Sequence, residues 1–185
     1  MMKKAEKRKI LADASEKKLI CNIYFKYNDN ARYYNLIPLI CGERLFLSAN
    51  EDDFILDGHT VRRFKDIRKV QAKDDKCDEI LRSEGIVVST PEVEIDNWRT
   101  VFQSLKKTGK NIIIEKEDLD YDNTEYVIGK IADIHKKSAY VYHFDADGIW
   151  EEKPYRIPFD EITSVTFGSR YVEIFSKYID EPTMC

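Results

Sequence analysis

The sequence predicts a mainly β protein with short helices, an α+β chain in which two five-stranded small β-barrels are joined by a linker helix. Three observations support this fold class. Short apolar segments alternate with turn residues, which is typical of half-buried strands. The apolar pattern recurs at a spacing of 95 residues. Tyrosine (11) and phenylalanine (9) are plentiful while glycine (7) and proline (5) are scarce, so a long disordered chain is not expected.

The repeat emerges when the chain is aligned with itself at that spacing. Two copies of one fold would preserve the apolar pattern more than residue identity, and the pattern holds over about 35 positions. Chance agreement between alternating strand segments is the alternative. The repeat predicts two domains, 1–86 with an N-terminal helix and the first barrel, and 87–185 with the linker helix and the second barrel. The identical pairs are Asp52 and Asp147, Phe64 and Phe159, Ile67 and Ile162, and Val70 and Val165.

Helices are predicted around the strands. Residues 5–18 precede the first copy, and residues 74–82 and 169–177 close the two copies. The linker helix is predicted to begin at Thr90-Pro91, because threonine caps helices and proline suits the first turn. Apolar residues then recur at helical spacing until Gly109 ends the helix. Trp98 belongs to this apolar stripe and is expected in the core.

Each copy is predicted to contain five strands. Those of the first copy are 19–25, 33–40, 44–49, 59–64 and 67–71, with turns at 28–30 and 50–53. Those of the second copy are 111–116, 126–134, 139–144, 155–159 and 162–167, with a loop at 117–124 and a hairpin turn at 145–148. A strongly bent sheet that closes on itself would bury the apolar face of five such short strands.

Charge is unevenly distributed along the chain, whose formal net charge is −4. Residues 1–18 contain seven basic and three acidic side chains, and residues 111–125 contain one basic and six acidic side chains. Such blocks are usually solvated faces, and the alternative is a contact between the two blocks in an oligomer. The net charge gives no overall attraction to nucleic acid or to an anionic membrane.

A basic cluster is the candidate contact for nucleic acid or another anion, because basic groups beside tyrosines can bind single strands. It consists of Arg62, Arg63, Lys65, Arg68, Lys69, Lys136 and Lys137. The acidic segment 111–125 would repel phosphates, so RNA is the second choice of partner. The five cluster residues of the first copy, Arg62 to Lys69, also have no basic counterparts in the second copy. The 95-residue spacing relates them to Ile157, Pro158, Asp160, Thr163 and Ser164.

No catalytic site is recognisable, and the sequence predicts a non-enzymatic protein without a cofactor. None of the three histidines belongs to a nucleophile or metal signature, and no glycine-rich phosphate loop occurs. The best metal candidate is the segment that runs from His143 through Asp145 and Asp147. It lacks the acidic residues that a calcium loop needs, so a hairpin turn is the preferred interpretation.

The cysteines Cys21, Cys41, Cys77 and Cys185 lie far apart, without a C-x-x-C pair. We therefore expect buried free thiols in a reducing cytosol. The chain shows no apolar run of secretory or membrane-spanning length, so a cytoplasmic protein without a membrane partner is predicted.

Two segments of the second copy resemble the Sm-like small barrel, a fold of the SH3 type. Residues 127–134 form an apolar strand with Gly129 inside it, and residues 139–142 supply the next strand. Residues 157–165 take the place of the second motif of that family. The spacing within residues 57–67 also resembles uncharacterised bacterial proteins that consist of tandem small barrels, and this likeness covers most of the chain.

The Sm-like resemblance implies RNA binding and ring assembly. His135 and Ala139 stand where Sm-like proteins carry the Asp and Asn that hold a base, and residues 162–165 lack the Arg-Gly pair of the second motif. The fold is therefore expected to carry over without the RNA pocket. The preferred function is a non-enzymatic scaffold that forms a homo-oligomer by pairing of strand edges or binds a protein partner; the alternative is RNA binding.

Overall fold

Ten antiparallel strands form one continuous sheet with four short helices in the computed structural model, which describes residues 2–28 and 32–182. The strands are β1 (Cys21–Phe25), β2 (Tyr34–Cys41), β3 (Leu45–Asp52), β4 (Ile55–Arg63), β5 (Ile67–Ala72), β6 (Ile112–Lys116), β7 (Glu125–Ile134), β8 (Ser138–His143), β9 (Tyr155–Pro158) and β10 (Ser164–Phe167). The helices are α1 (Lys4–Lys17), α2 (Lys76–Ser83), α3 (Trp98–Lys106) and α4 (Arg170–Phe175).

The strands lie side by side in the order β5-β1-β2-β3-β4-β10-β6-β7-β8-β9. The first five strands and the last five are therefore arranged in the same internal order: fifth, first, second, third, fourth. The two halves meet where β4 pairs with β10, with Arg62 opposite Ser164 and His59 opposite Phe167. β5 and β9 form the two outer edges of the sheet.

The predicted closed barrels are wrong, because one open sheet runs through both halves. A period-two apolar pattern assigns residues to the faces of a strand, but it does not choose the neighbouring strand. Here the edge of β4 pairs with β10 of the other half. The coarser prediction, a mainly β chain with short helices, is confirmed.

Apolar packing also joins the two halves. The largest buried cluster combines β3 and β4 of the first half with α3 and the strands of the second half, and it includes Val61, Phe102 and Val165. A second cluster packs α1 onto the first half through Leu11, Phe46 and other buried residues. The core therefore fixes α1 and α3 against the same sheet.

The linker helix begins at Trp98, so the predicted start at Thr90-Pro91 is wrong. The Asn97 side chain caps this helix by accepting a hydrogen bond of 3.2 Å from the backbone N–H of Thr100. Residues 91–96 are not helical; buried Val93 and Ile95 alternate there with exposed residues, which is the burial pattern of extended chain. Within residues 2–28 and 32–182, no helix has the length and apolar character needed to cross a bilayer.

Candidate nucleic-acid interface

A basic groove of about 1120 Å³ lies between the two halves, at one end of the sheet. Its described lining comes from the start of α1, the turns β2–β3, β4–β5 and β7–β8, the start of α3, and the residues that directly follow β1 and β9. Ten basic and two acidic residues give this lining a formal charge of +8. The basic residues are Lys3, Lys4, Lys7, Lys26, Arg44, Arg63, Lys65, Arg68, Arg99 and Lys136, and the acidic ones are Glu43 and Asp160.

Two contacts hold the first turns of α1 against the sheet. The Lys7 ammonium donates a hydrogen bond to the backbone carbonyl of Ile67, at the start of β5. The Arg8 guanidinium lies 4.2 Å above the centre of the Phe64 ring, a cation–π contact. These contacts place the basic N-terminus of α1 at the rim of the groove.

Lys7 and Lys26 carry like charges and lie close enough at this rim to repel each other. Partial burial lowers the pKa of Lys7, and the nearby charge of Lys26 lowers it further. An anion entering the groove would relieve this repulsion.

The second half supplies the opposite wall. Lys136 occupies the turn between β7 and β8 and is exposed, as is Arg99 in the first turn of α3. Arg63 ties the two walls together, since it forms an ion pair with Asp66 and donates a hydrogen bond of 2.8 Å to the backbone carbonyl of Asp160. The groove is therefore a product of the contact between the halves.

The lining of the groove suits the binding of anions. Its apolar floor includes Trp98 and Phe64, which are only 7% and 6% exposed, so flat stacking of bases on these rings is limited. Lysine and arginine side chains at the rim instead suit contacts with phosphate groups. Across residues 2–28 and 32–182, no group of three or more His, Cys, Asp or Glu side chains is arranged to hold a metal ion.

The structure brings four of the seven predicted contact residues into the groove: Arg63, Lys65, Arg68 and Lys136. Lys69 and Lys137 are exposed but do not belong to the groove lining. Arg62 is different, because it is only 3% exposed and faces the interior. Its guanidinium is therefore not presented to a ligand at the surface.

Arg62 is the centre of a buried polar network between the two halves. Its Nη1 atom lies 2.9 Å from Glu117 Oε2, and its Nη2 atom lies 3.5 Å from Glu115 Oε2. The same Nη1 atom donates a 2.9 Å hydrogen bond to the Tyr27 hydroxyl, and the guanidinium lies 4.5 Å above the centre of the Tyr34 ring. The acidic segment thus meets the first half of the same molecule through Arg62.

The carboxylate of Glu117 is held from several sides. The Tyr34 hydroxyl donates a 3.1 Å hydrogen bond to one of its oxygens, and the Thr163 hydroxyl donates a 2.8 Å hydrogen bond to the other. Burial acts to lower the pKa of Arg62, but Tyr27, Glu117 and Glu115 outweigh it and raise that pKa above its ordinary value. Arg62 is therefore charged at every physiological pH.

The other candidate segments have structural roles. Asp145 Oδ1 accepts hydrogen bonds of 3.0 Å and 2.9 Å from the backbone N–H groups of Asp147 and Ile149, so this carboxylate closes the predicted hairpin turn. The described cysteines are free thiols: Cys21 is buried, and Cys41 and Cys77 are partly buried. Cys185 lies outside the described residues.

Sequence reasoning missed six basic residues of the groove. They are Lys3, Lys4, Lys7, Lys26, Arg44 and Arg99. The excess of positive charge in residues 1–18 was a signal for three of them, but it did not show which part of the fold the helix would meet. No family model, curated protein or solved structure matches this chain.

Proposed function

We propose that the protein is a non-enzymatic binding protein that holds a single-stranded nucleic acid in the basic groove. The observation that carries the proposal is the formal charge of +8 on the groove lining of a protein whose net charge is −4. Such a concentration of positive charge attracts a phosphate backbone locally although the molecule as a whole is acidic.

The form of the groove supports a single strand with little sequence preference. A volume of about 1120 Å³ accommodates a few nucleotides in extended form. Contacts from flexible lysine and arginine side chains recognise phosphates and carry no sequence information. Binding is therefore expected to depend strongly on salt and weakly on base composition.

The test measures fluorescence anisotropy of a labelled single-stranded RNA of about 12 nucleotides as protein is added at low salt. We expect dissociation constants of about 1–100 μM, as for contacts made mainly to phosphates. The logarithm of the association constant should fall linearly with the logarithm of salt concentration, with a slope of about −3 for four or five phosphates. A DNA strand of the same sequence and a polyphosphate of equal charge show whether the sugar or bases contribute.

Two pairs of lysines provide a matched comparison. Lys65→Glu with Lys136→Glu reverses two exposed charges of the groove and should weaken binding more than about tenfold. Lys69→Glu with Lys137→Glu makes the same change in total charge at exposed positions outside the groove lining. It should weaken binding by less than about threefold when the two pairs are compared at about 0.15 M salt, where exposed charges are screened beyond about 8 Å. No anisotropy change at low salt, or equal losses in the two double variants, contradicts the proposal.

A further inference from the structure

The two outer edges of the sheet are formed by the same two kinds of strand that pair at its centre. In each half the fifth strand and the fourth strand are the outermost. At the centre the fourth strand of the first half, β4, pairs with the fifth strand of the second half, β10. This leaves the fifth strand of the first half, β5, and the fourth strand of the second half, β9, without partners on their outer sides within the described sheet.

The pairing within each half is similar in detail. The second and third strands have a register shift at the same place in both hairpins, between Pro38 and Ile40 in one and between Ile131 and Asp133 in the other. A bulge bends and twists the strands around it. Equivalent bulges therefore give the two halves a similar local shape, and the outer edges are expected to resemble the edges that meet at the centre.

We infer that the protein assembles head to tail, with β9 of one copy pairing antiparallel with β5 of the next copy as β4 pairs with β10 within the chain. The partner is a second copy of this chain. Unpaired backbone N–H and C=O groups at a strand edge are a template for such pairing. The contact is heterologous, so repeated pairing either closes into a ring or extends into an open chain.

The internal junction gives the register of the contact. Thr60 lies opposite Thr166 at the junction. A spacing of 95 residues relates Thr60 to Tyr155 in β9, and relates Gln71 in β5 to Thr166. Transfer of the junction register to two copies places Tyr155 of one copy opposite Gln71 of the next.

The edges have suitable length and exposure. β9 and β10 have four residues each, and all four residues of β10 pair with β4 at the junction. Tyr155 and Arg156 in β9 and Lys69 and Gln71 in β5 are exposed. Because proline has no backbone N–H, Pro154 and Pro158 restrict pairing to a short stretch between them.

The contact between copies lacks the ionic network of the internal junction. The 95-residue spacing relates Arg62 to Ile157, whose side chain is fully buried within its own half. Backbone hydrogen bonds and exposed side chains would therefore make up most of the contact. We expect an assembly that depends on protein concentration and not a permanent complex.

Sedimentation velocity of the full chain measures the assembly directly. The monomer mass is 21.8 kDa, and we expect species of integer multiples of this mass that increase between about 5 μM and about 200 μM protein. A single 21.8 kDa species throughout this range overturns the inference.

Disulfide formation between cysteine variants tests the register. Opposite residues in antiparallel strands have Cβ atoms about 4.5–5.5 Å apart, close enough for a disulfide after small adjustments. In a background with Cys77→Ser and Cys185→Ser, an oxidised mixture of the Gln71→Cys and Tyr155→Cys proteins should form a covalent dimer. Each protein oxidised alone should not, since the contact is heterologous.

In the control mixture the Lys153→Cys protein replaces the Tyr155→Cys protein, because Lys153 is exposed but lies outside β9. Thermal unfolding of each variant shows that it is folded before oxidation. Equal cross-linking in the control mixture, a dimer from Gln71→Cys alone, or oligomers that form no disulfide in the Gln71→Cys and Tyr155→Cys mixture each overturn the inference.

Discussion

Removal of the Glu117 charge should be among the most destabilising single changes at the contact between the halves. Glu117 faces Arg62 at 2.9 Å, and their side chains are only 9% and 4% exposed. Two unit charges about 3 Å apart attract by about 6 kcal/mol at an effective dielectric constant of about 20. Glu115, at 3.5 Å from Arg62, retains part of this attraction in the Glu117→Gln variant. We therefore expect a loss of about 3–5 kcal/mol in the free energy of unfolding, as for other broken buried pairs.

The loss of stability in the Glu117→Gln variant comes mainly from the buried Arg62 charge that remains without its partner, and not from the loss of a favourable ion pair as such. A variant with both Arg62→Met and Glu117→Gln removes the two most buried charges and places an apolar side chain of similar length at residue 62. The Glu115 carboxylate loses its cation, but it is 25% exposed and still accepts a hydrogen bond from the Ser164 hydroxyl. This double variant should be more stable than the Glu117→Gln variant.

Thermal and urea unfolding measure these differences. A loss of 3–5 kcal/mol corresponds to a decrease in Tm of about 6–20 °C for a chain of this size. Lys110→Ala is the matched control, because it breaks an ion pair with Glu173 whose side chains are 64% and 40% exposed. It should cost less than about 1 kcal/mol. The reasoning is refuted if Glu117→Gln costs no more than Lys110→Ala, or if the double variant is the least stable of the three.

Two further predictions concern the core. Burial raises the pKa of the Cys21 thiol to about 12 from 9.0, with smaller contributions from Asp78 and Cys41. As pH rises, the unfolded chain loses this proton before the folded chain does, so the stability due to the protonated thiol is complete below about pH 9 and is lost towards about pH 12. Urea unfolding at pH 10 should therefore show about 1.4 kcal/mol less stability than at pH 8 from this group. A Cys21→Ala variant whose stability decreases equally steeply with pH would contradict this. Gly129→Ala would bring a Cβ atom to 1.9 Å from the backbone oxygen of Tyr142, so it should lower Tm by more than about 5 °C. In the control variant Gly109→Ala the Cβ atom meets no atom within 4 Å, so only the positive φ should cost stability, about 1 kcal/mol. Equal Tm values for the two variants would count against the packing argument.

The local elements were largely predictable because their signals are local. The first, second and last helices were each predicted within about two residues of their ends, since caps such as Asp75 and Ser169 act within one turn. The start of the linker helix was not predicted correctly, because both Thr90-Pro91 and Asn97 are suitable for the first residues of a helix. The choice between them depends on how Val93 and Ile95 are buried, and this is a property of the packed structure.

The groove was predictable only in part. Four residues of the predicted basic cluster line it, but the sequence could not separate them from Arg62, which belongs to the same run of charges. Alternation in β4 gives Arg62 and Arg63 opposite faces of the sheet. Which of these faces is buried depends on Glu117, 55 residues away along the chain.

The sequence by itself determined that the chain is mainly β with short helices, because side-chain periodicity and caps act over a few residues. Only the tertiary structure decided that β4 pairs with β10, that the sheet stays open, and that α1 and the turn between β7 and β8 face one basic groove. Edge pairing uses backbone groups that are the same in nearly every residue. The choice of partner strand therefore depends on packing and buried charges contributed by distant parts of the chain.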